Sequence, residues 1–477
     1  MVAVAKPSTK AAYKLMHEGS LALARAEAAG IRIDMGKLAA NRKAVQKIIA
    51  EREDGLKQTD VWRTWRKRFG SNANLGSLEQ MSTILFDVLG YKPPEERTRT
   101  KRIKMDIKSL EKLEDPFTQA YLGWKKFLKL ENTNFSGIAR LVCPDGYIRP
   151  SFWLHNVITF RSSSSDPNFQ NQPIRDPEIA MWIRSLFYSS GPNWYLLEND
   201  FKGAEVVVGS AYHCDPTMVK WLDTGFDMHK CMGGKCFFIN EKDVPKPVRQ
   251  QVKALFVFAE FYGSYYPQVA KTLWEACTRY KLVHPDGTPL HDHLKRKGIT
   301  GPGTCEVGPG AAKAKPGTLE HHIQKLEKVL WDEWFPGYRD WKRRTWQQYT
   351  KDGYLHTLTG FTIQGIYSRN EVLNSPIQGS SFHCLLWCLI EVTKELLKRK
   401  MRSKIVGQIH DSIISDVHKR ELHDYLALVQ EVVTVRLPAH YPWLRARLDV
   451  EAELCPQGGN WYEKKEIDIE KFLAGVA

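Results

Sequence analysis

The chain has 477 residues, too many for one simple hydrophobic core, so about two to four subdomains are expected. Lysine plus arginine exceeds aspartate plus glutamate by 69 − 54 = 15 charges, which points to a polyanionic partner. No run approaches the roughly 18 apolar residues of a membrane-spanning helix. The opening MVAVAKPSTKAAY lacks the apolar core of a secretory signal, and nine scattered cysteines form no disulfide framework. A soluble protein of a reducing compartment is expected, with no membrane partner.

After a short tail, residues 15–54 alternate apolar and charged positions at helical spacing, with a break at Gly30. TDVWRTWRKRFG sets Arg63, Arg66, Lys67 and Arg68 beside Trp62 and Trp65. Residues 74–93 predict a loop and an amphipathic helix ending at Gly90. The stretch 97–108, RTRTKRIKMDIK, has six basic residues and one acid, the composition of a solvated loop or of a grip on phosphates. From about residue 140 the pattern becomes short, turn-bounded strands, including NWYLLEND. Residues 226–282 and 318–352 are predicted helical, with Trp331, Trp334, Trp341 and Trp346 as packing residues. GITGPGTCEVGPGAAKAKPG between them predicts a loop. A helix over 380–399 precedes SKIVGQIHDSIISDV, two short strands joined at His410 and Asp411.

LLENDFKGAEVVVGSAYH places Glu198, Asp200 and Glu205 between core-like segments, where carboxylates need a partner or a cation. Asp200 and Asp411 each end a strand-like run. Such a pair can hold two divalent cations for in-line phosphoryl transfer, although lone aspartates at strand ends are commonly turn formers. Arg249 and Lys253 are four apart on a predicted helix and share a face. They could clamp a triphosphate, or be two solvated bases. His229, Cys231 and Cys236 lack the second ligand pair of a zinc finger, and His284, His291 and His293 fit a turn-rich loop.

Together these segments resemble the polymerase domain of family A DNA polymerases. DFKGAE is similar to the first palm motif D-Y-S-Q-I-E, and QIHDS to the second, Q-V-H-D-E. RQQVKALFVFAEFYG resembles the fingers motif R-x3-K-x7-8-Y-G. TFRSSSSDPNFQNQPIR (159–175), NSPIQGSS (374–381), the thumb-like NLGSLEQMSTILFDVLGYKP and the closing GGNW agree in family order.

The resemblance implies an α+β right-hand fold with a helical thumb, an antiparallel β-sheet palm and helical fingers. The implied divisions are an N-terminal tail at 1–18, a thumb at 19–140, palm at 141–225 and 374–477, and fingers at 226–373. It implies a DNA-directed DNA polymerase that adds dNTPs to a primer 3′-hydroxyl with two Mg²⁺ ions, Mn²⁺ substituting. Asp200, Asp411 and the Phe201 main chain would hold metal. Arg249, Lys253 and His229 would contact the triphosphate, with Lys253 as proton donor to pyrophosphate. Glu205 would be the steric gate against ribose, and Phe258 with Tyr262 the platform for the nascent pair. Arg161, Asn168, Gln170, Asn374, Gln378 and His410 would bind primer–template DNA.

Three departures stand out. Ser412 occupies the place of the second palm motif's Glu, and Gly203 that of the first motif's Gln. The step from Lys253 to Tyr262 is nine residues instead of eight. An unbroken helix would put Phe261 on the Arg249–Lys253 face; a one-residue π-bulge would return Phe258 and Tyr262 to it. Thumb-like sequence starting near residue 15 implies no proofreading exonuclease domain in this chain, and Asp449–Glu451, a D-x-E triplet, lies in the last strand region without companion carboxylates. A separate exonuclease or other replisome proteins would be partners. The implied source is a bacteriophage, with the enzyme working in bacterial cytoplasm.

Overall fold

The computed structural model describes residues 8–94, 103, 105–111, 113, 115–173, 176–308 and 310–475. Most of the basic stretch 97–108, and Arg175 of the 159–175 motif, lie outside the described residues.

The apolar run of Trp194–Phe201 forms the middle strand of a five-stranded antiparallel sheet. Its order is Lys465–Ile467, Val450–Leu454, Trp194–Phe201, Ser412–His418 and Lys404–Ile409. The middle strand is thus flanked on both sides by segments from the C-terminal quarter of the chain. Behind the sheet lies the helix Arg369–Lys398, longer than the 380–399 expected. Ser368 and Glu371 start it with a reciprocal capping box, which satisfies donors that the first turn leaves free. Leu385, Leu389 and Val392 of this helix join Leu196, Leu197, Ile413 and Val417 of the sheet in the largest core.

Residues 1–18 were expected as a tail, yet Thr9–Ala29 is one helix. Its Ala12 and Leu15 are buried in the same core, so that the boundary at residue 18 falls inside the helix. Gly19 explains how close it comes: a Cβ there would lie 2.8 Å from the Leu386 side chain. Tail-like composition hid a short apolar stripe whose partner lies some 370 residues away in sequence.

Two further cores are helical. Leu56, Trp65, Met81, Ile84 and Tyr121 form one, in which the stretch 74–93 supplies Leu78–Ser82 and the π turn Thr83–Val88. The other gathers Met232, Val252, Phe256, Leu273, Ile323 and Phe335 between residues 228 and 341. There Trp331 and Trp341 are buried as packing residues, with Trp334 packed on the same core against Trp221 and Phe335. His291 and His293, expected in a loop, fall on the short helix Leu290–Arg296, and the His293 ring stacks on His284 at 4.1 Å.

Candidate active site

Strand and helix meet where the middle strand ends. Gly203, at φ 58, turns the chain out of Trp194–Phe201 and into the helix Ala204–His213, a conformation costly for a residue with a Cβ. The turn leaves Asp200 at the strand end and puts Glu205 in the first helical turn. On the adjacent strand, His410 (φ 49) and Asp411 make the connection between Lys404–Ile409 and Ser412–His418. The Phe201 N–H donates to the Asp411 carbonyl at 3.0 Å, and Ser412, in register with Asp200, donates its hydroxyl to Asp200 Oδ1 at 2.7 Å. Two carboxylates some 200 residues apart in sequence therefore share one end of the sheet.

The opposing wall comes from one bent helix. Lys246–Val252 runs into a π turn over Lys253–Val257 and continues as Phe258–Phe261. The Phe258 N–H donates to the Lys253 carbonyl, the five-residue step that defines such a turn. This is the bulge that the nine-residue spacing predicts. Tyr262 consequently faces the sheet and donates its hydroxyl to Glu205, which also accepts from the Arg161 guanidinium. Phe261 turns away into the helical core against Trp331, Phe335 and Tyr338.

A cavity of about 260 Å³ lies between the walls, lined by Asp200, Asp411, Glu205, Lys253, Phe258 and Tyr262, among others. Lys253 Nζ stands 5.4 Å from the Phe258 ring, and His229 meets that ring edge-on at 5.6 Å. Arg249 is held beside them by Asp227, Nε to Oδ2 at 2.7 Å, while Asp227 also caps the helix Met228–Phe237. Asp227 was not singled out from the sequence, although it lies two residues before His229.

Burial governs the charges. It pushes Asp200 up to about 6; the Ser412 hydrogen bond opposes this, and the charges of Asp411, Glu198 and Glu451 add to it. Asp411 is raised by burial too, with Arg161 pulling it back. His229 is lowered to about 4 by burial, with Lys253 and Arg249 adding to the effect, so its ring is neutral at pH 7. The acidic end of the cavity is therefore short of positive charge. Two carboxylates and the Phe201 carbonyl are hard oxygen donors, and a divalent cation of the Mg²⁺ type fits that set. Among the described residues no three His, Cys, Asp or Glu side chains already converge as a cage.

The residues expected to hold DNA divide into two groups. Asn374 lines the cavity and donates to the Tyr262 carbonyl at 3.2 Å; Gln378 follows one turn later on the same helix, half-buried. His410 is exposed at the strand turn. Gln170 instead donates inward, to Ser162 at 2.7 Å and to Gln408 at 2.8 Å, and Gln408 in turn donates to the His410 carbonyl. Asn168 caps the short turn Phe169–Asn171 and lines a larger cleft of about 990 Å³ beside Pro167, Lys126 and Leu110. Asp449–Glu451, expected without companion carboxylates, places Glu451 directly opposite Asp200 across the sheet.

The family model for "DNA polymerase family A" matches residues 43–279 and 328–463. The chain belongs to DNA polymerase family A. It is 25% identical over 463 residues to DNA polymerase I of Geobacillus stearothermophilus, covering 93% of this chain and 45% of that protein. DNA polymerase I of Mycobacterium leprae is 28% identical over 391 residues, 78% of this chain and 38% of the relative. A DNA polymerase of Bacillus phage SP01 is 24% identical over 443 residues, 87% and 43%. The chain thus spans less than half the length of these relatives. Its fold matches the POL domain of Pol1 from M. smegmatis, solved with DNA primer-template and dNTP, with a TM-score of 0.72 at 24% identity over 94% of this chain and 70% of that one. The architecture is the α+β right hand of that domain.

Proposed function

We propose that the chain is a DNA-templated DNA polymerase that extends a primer 3′-hydroxyl with dNTPs and releases pyrophosphate. The observation that supports this most is that Asp200, Asp411, Glu205 and Lys253 line one cavity, with Arg249 one helical turn before Lys253 and held by Asp227. Divalent cations, Mg²⁺ with Mn²⁺ as substitute, would be held by Asp200, Asp411 and the Phe201 carbonyl, and would activate the hydroxyl and stabilise charge on phosphorus.

The chain's own groups supply the rest. Arg249 and Lys253, one helical turn apart, receive the triphosphate, and Lys253 donates a proton to the leaving pyrophosphate. His229, uncharged and edge-on to the Phe258 ring, contacts the triphosphate beside these bases. Arg161 and Tyr262 fix Glu205 so that it fills the space a ribose 2′-hydroxyl would need. Phe258 and Tyr262, with ring centroids 6.2 Å apart, form the platform for the nascent base pair. Arg161, Asn374, Gln378 and His410 line the path of the primer–template, and Asn168 lies along the larger cleft. Gln170 serves through its bonds to Ser162 and Gln408, which brace the His410–Asp411 turn. A separate exonuclease, a bacterial cytoplasmic setting and a phage source belong to this proposal as well; one of the relatives is a phage polymerase.

Extension of a labelled primer tests the reading. Asp200→Ala and Asp411→Ala should each lose at least about 10³-fold, the scale of several kcal/mol of metal-assisted stabilisation. Full activity in either variant would sink the assignment. Preferential use of ribonucleotides would indicate an RNA polymerase instead. Binding of primer–template without extension in Mg²⁺ or Mn²⁺ would indicate an inactive DNA-binding subunit.

A further inference from the structure

Asp200 has a neighbour on each side of its strand. Ser412 pairs with it from one strand and Glu451 from the other, as Ile414 and Glu453 pair with Glu198. Directly opposed residues of an antiparallel ladder point to one face, with Cβ atoms about 4.5–5.5 Å apart. Asp200 therefore stands between a hydroxyl and a carboxylate. The hydroxyl is already committed, since Ser412 donates to Asp200 Oδ1.

The other acids around Asp200 are tied down. Glu198 accepts from Trp461 Nε1 at 2.9 Å and from Lys464 Nζ at 2.5 Å, and it is buried. Glu205 is held by Arg161 and Tyr262. Glu451 differs: its side chain is 40% exposed, and among the described residues its ion-pair partner is Lys202 alone, at 3.1 Å and itself 66% exposed. Water screens such a pair, and the long lysine stem holds it loosely. Apart from Asp411, the other carboxylate assigned to the cation, Glu451 is the carboxylate beside Asp200 that is free to change partner.

Resting on the polymerase reading above, we propose that Glu451 is a positioning residue of the metal site, turning from Lys202 toward the divalent cation at Asp200 and ordering that ion's water shell. Mg²⁺ keeps several waters when bound by few carboxylates, and partners of that shell tune its affinity. Ser412 contributes no charge, so Glu451 supplies the third anion. Lys202 is its counter-ion when the cation is absent.

Mn²⁺ affinity tests this without turnover. The full chain is titrated with Mn²⁺ by electron paramagnetic resonance, bound to a dideoxy-terminated primer–template and the matching dNTP. Glu451→Gln should weaken Mn²⁺ binding about tenfold or more. Glu451→Asp, which keeps the charge on a shorter stem, should recover part of the loss. Lys202→Met, which frees the carboxylate, should bind Mn²⁺ more tightly than wild type. A purely structural ion pair predicts the opposite for Lys202→Met: a lower melting temperature and unchanged Mn²⁺ affinity. Wild-type Mn²⁺ binding by Glu451→Gln, where Asp200→Asn has lost it, overturns the role of Glu451. Wild-type binding by both variants would instead remove Asp200 as a metal holder.

Discussion

The acidic wall of the cavity and its basic wall are built by opposite means. Asp200 and Asp411 of the acidic wall, and Glu451 beside Asp200, come from three segments spread over 250 residues and meet only through strand register. Arg249, Lys253, Phe258 and Tyr262 come from one helix and meet through its turn count. The two frameworks tolerate change differently. A one-residue slip in a strand moves every side chain to the other face. The helix has taken up an extra residue as a π turn and kept its working face. Spacing is therefore negotiable on the basic wall and fixed on the acidic one.

The sharpest way to break this contrast is a pair of deletions. Removing Ile413 from the strand Ser412–His418 should abolish extension, because the residues on one side of the cut then exchange faces in a strand that is buried on both. Removing Leu255 should return the bulged helix to regular turns, with Phe258 and Tyr262 still facing the sheet. Its loss should stay below about 10²-fold, the effect of a misplacement near 1 Å. Equal loss in both chains would refute the distinction. Lys253→Met comes next: single-turnover extension should slow by about 10²- to 10³-fold if the lysine is the proton donor. A change in dNTP affinity alone would leave it as a binding group.

The sheet side also makes smaller, thermodynamic predictions. His383, on the helix behind the sheet, is fully buried between Thr359 and the Phe160 carbonyl, and burial lowers it to about 3. The unfolded chain takes up a proton on this residue below about pH 6.5, while the native state does not until about pH 3. Stability from this residue is thus present above pH 6.5 and lost toward pH 3, by up to about 1.4 kcal/mol per pH unit. Melting curves of His383→Gln should be correspondingly flatter over pH 4–6.5; an identical pH dependence would count against this. The smallest effect concerns Asn199, which faces the core while Asp200 faces the cavity. It is fully buried, and neither side-chain polar atom has a partner among the described residues. Asn199→Leu should raise stability by about 1–2 kcal/mol and leave extension unchanged. A lower melting temperature would show that the amide is satisfied.

How much of this was legible in the sequence follows the same divide. The basic wall was readable because its spacing is local: a step of nine residues from Lys253 to Tyr262 implied a π turn, and one is present. Asp200 and Asp411 were readable as strand ends because apolar runs precede each. What pairs with them was not. Nothing in the sequence says that Glu451 lies opposite Asp200, since register depends on the whole sheet. The first turns of the helix Thr9–Ala29, ahead of the helical spacing read from Leu15, were missed for a related reason, their stripe being apolar enough only against the sheet core. Asp227 escaped notice because a residue that caps a helix and grips Arg249 looks, in sequence, like an ordinary cap.

The position of Trp194–Phe201 in the centre of the sheet has a consequence for synthesis. Its neighbours on both sides, Ser412–His418 and Val450–Leu454, leave the ribosome more than 200 residues later. Until then the strand that bears Asp200 has two open edges and an apolar surface without its cover, the kind of segment that recruits other strands. The helical cores formed by earlier residues can assemble meanwhile, because their contacts are local. The pairing of Asp200 with Asp411 is thus one of the last things the growing chain completes. A message cut short before residue 404 would yield folded helices around a strand that has no sheet to join.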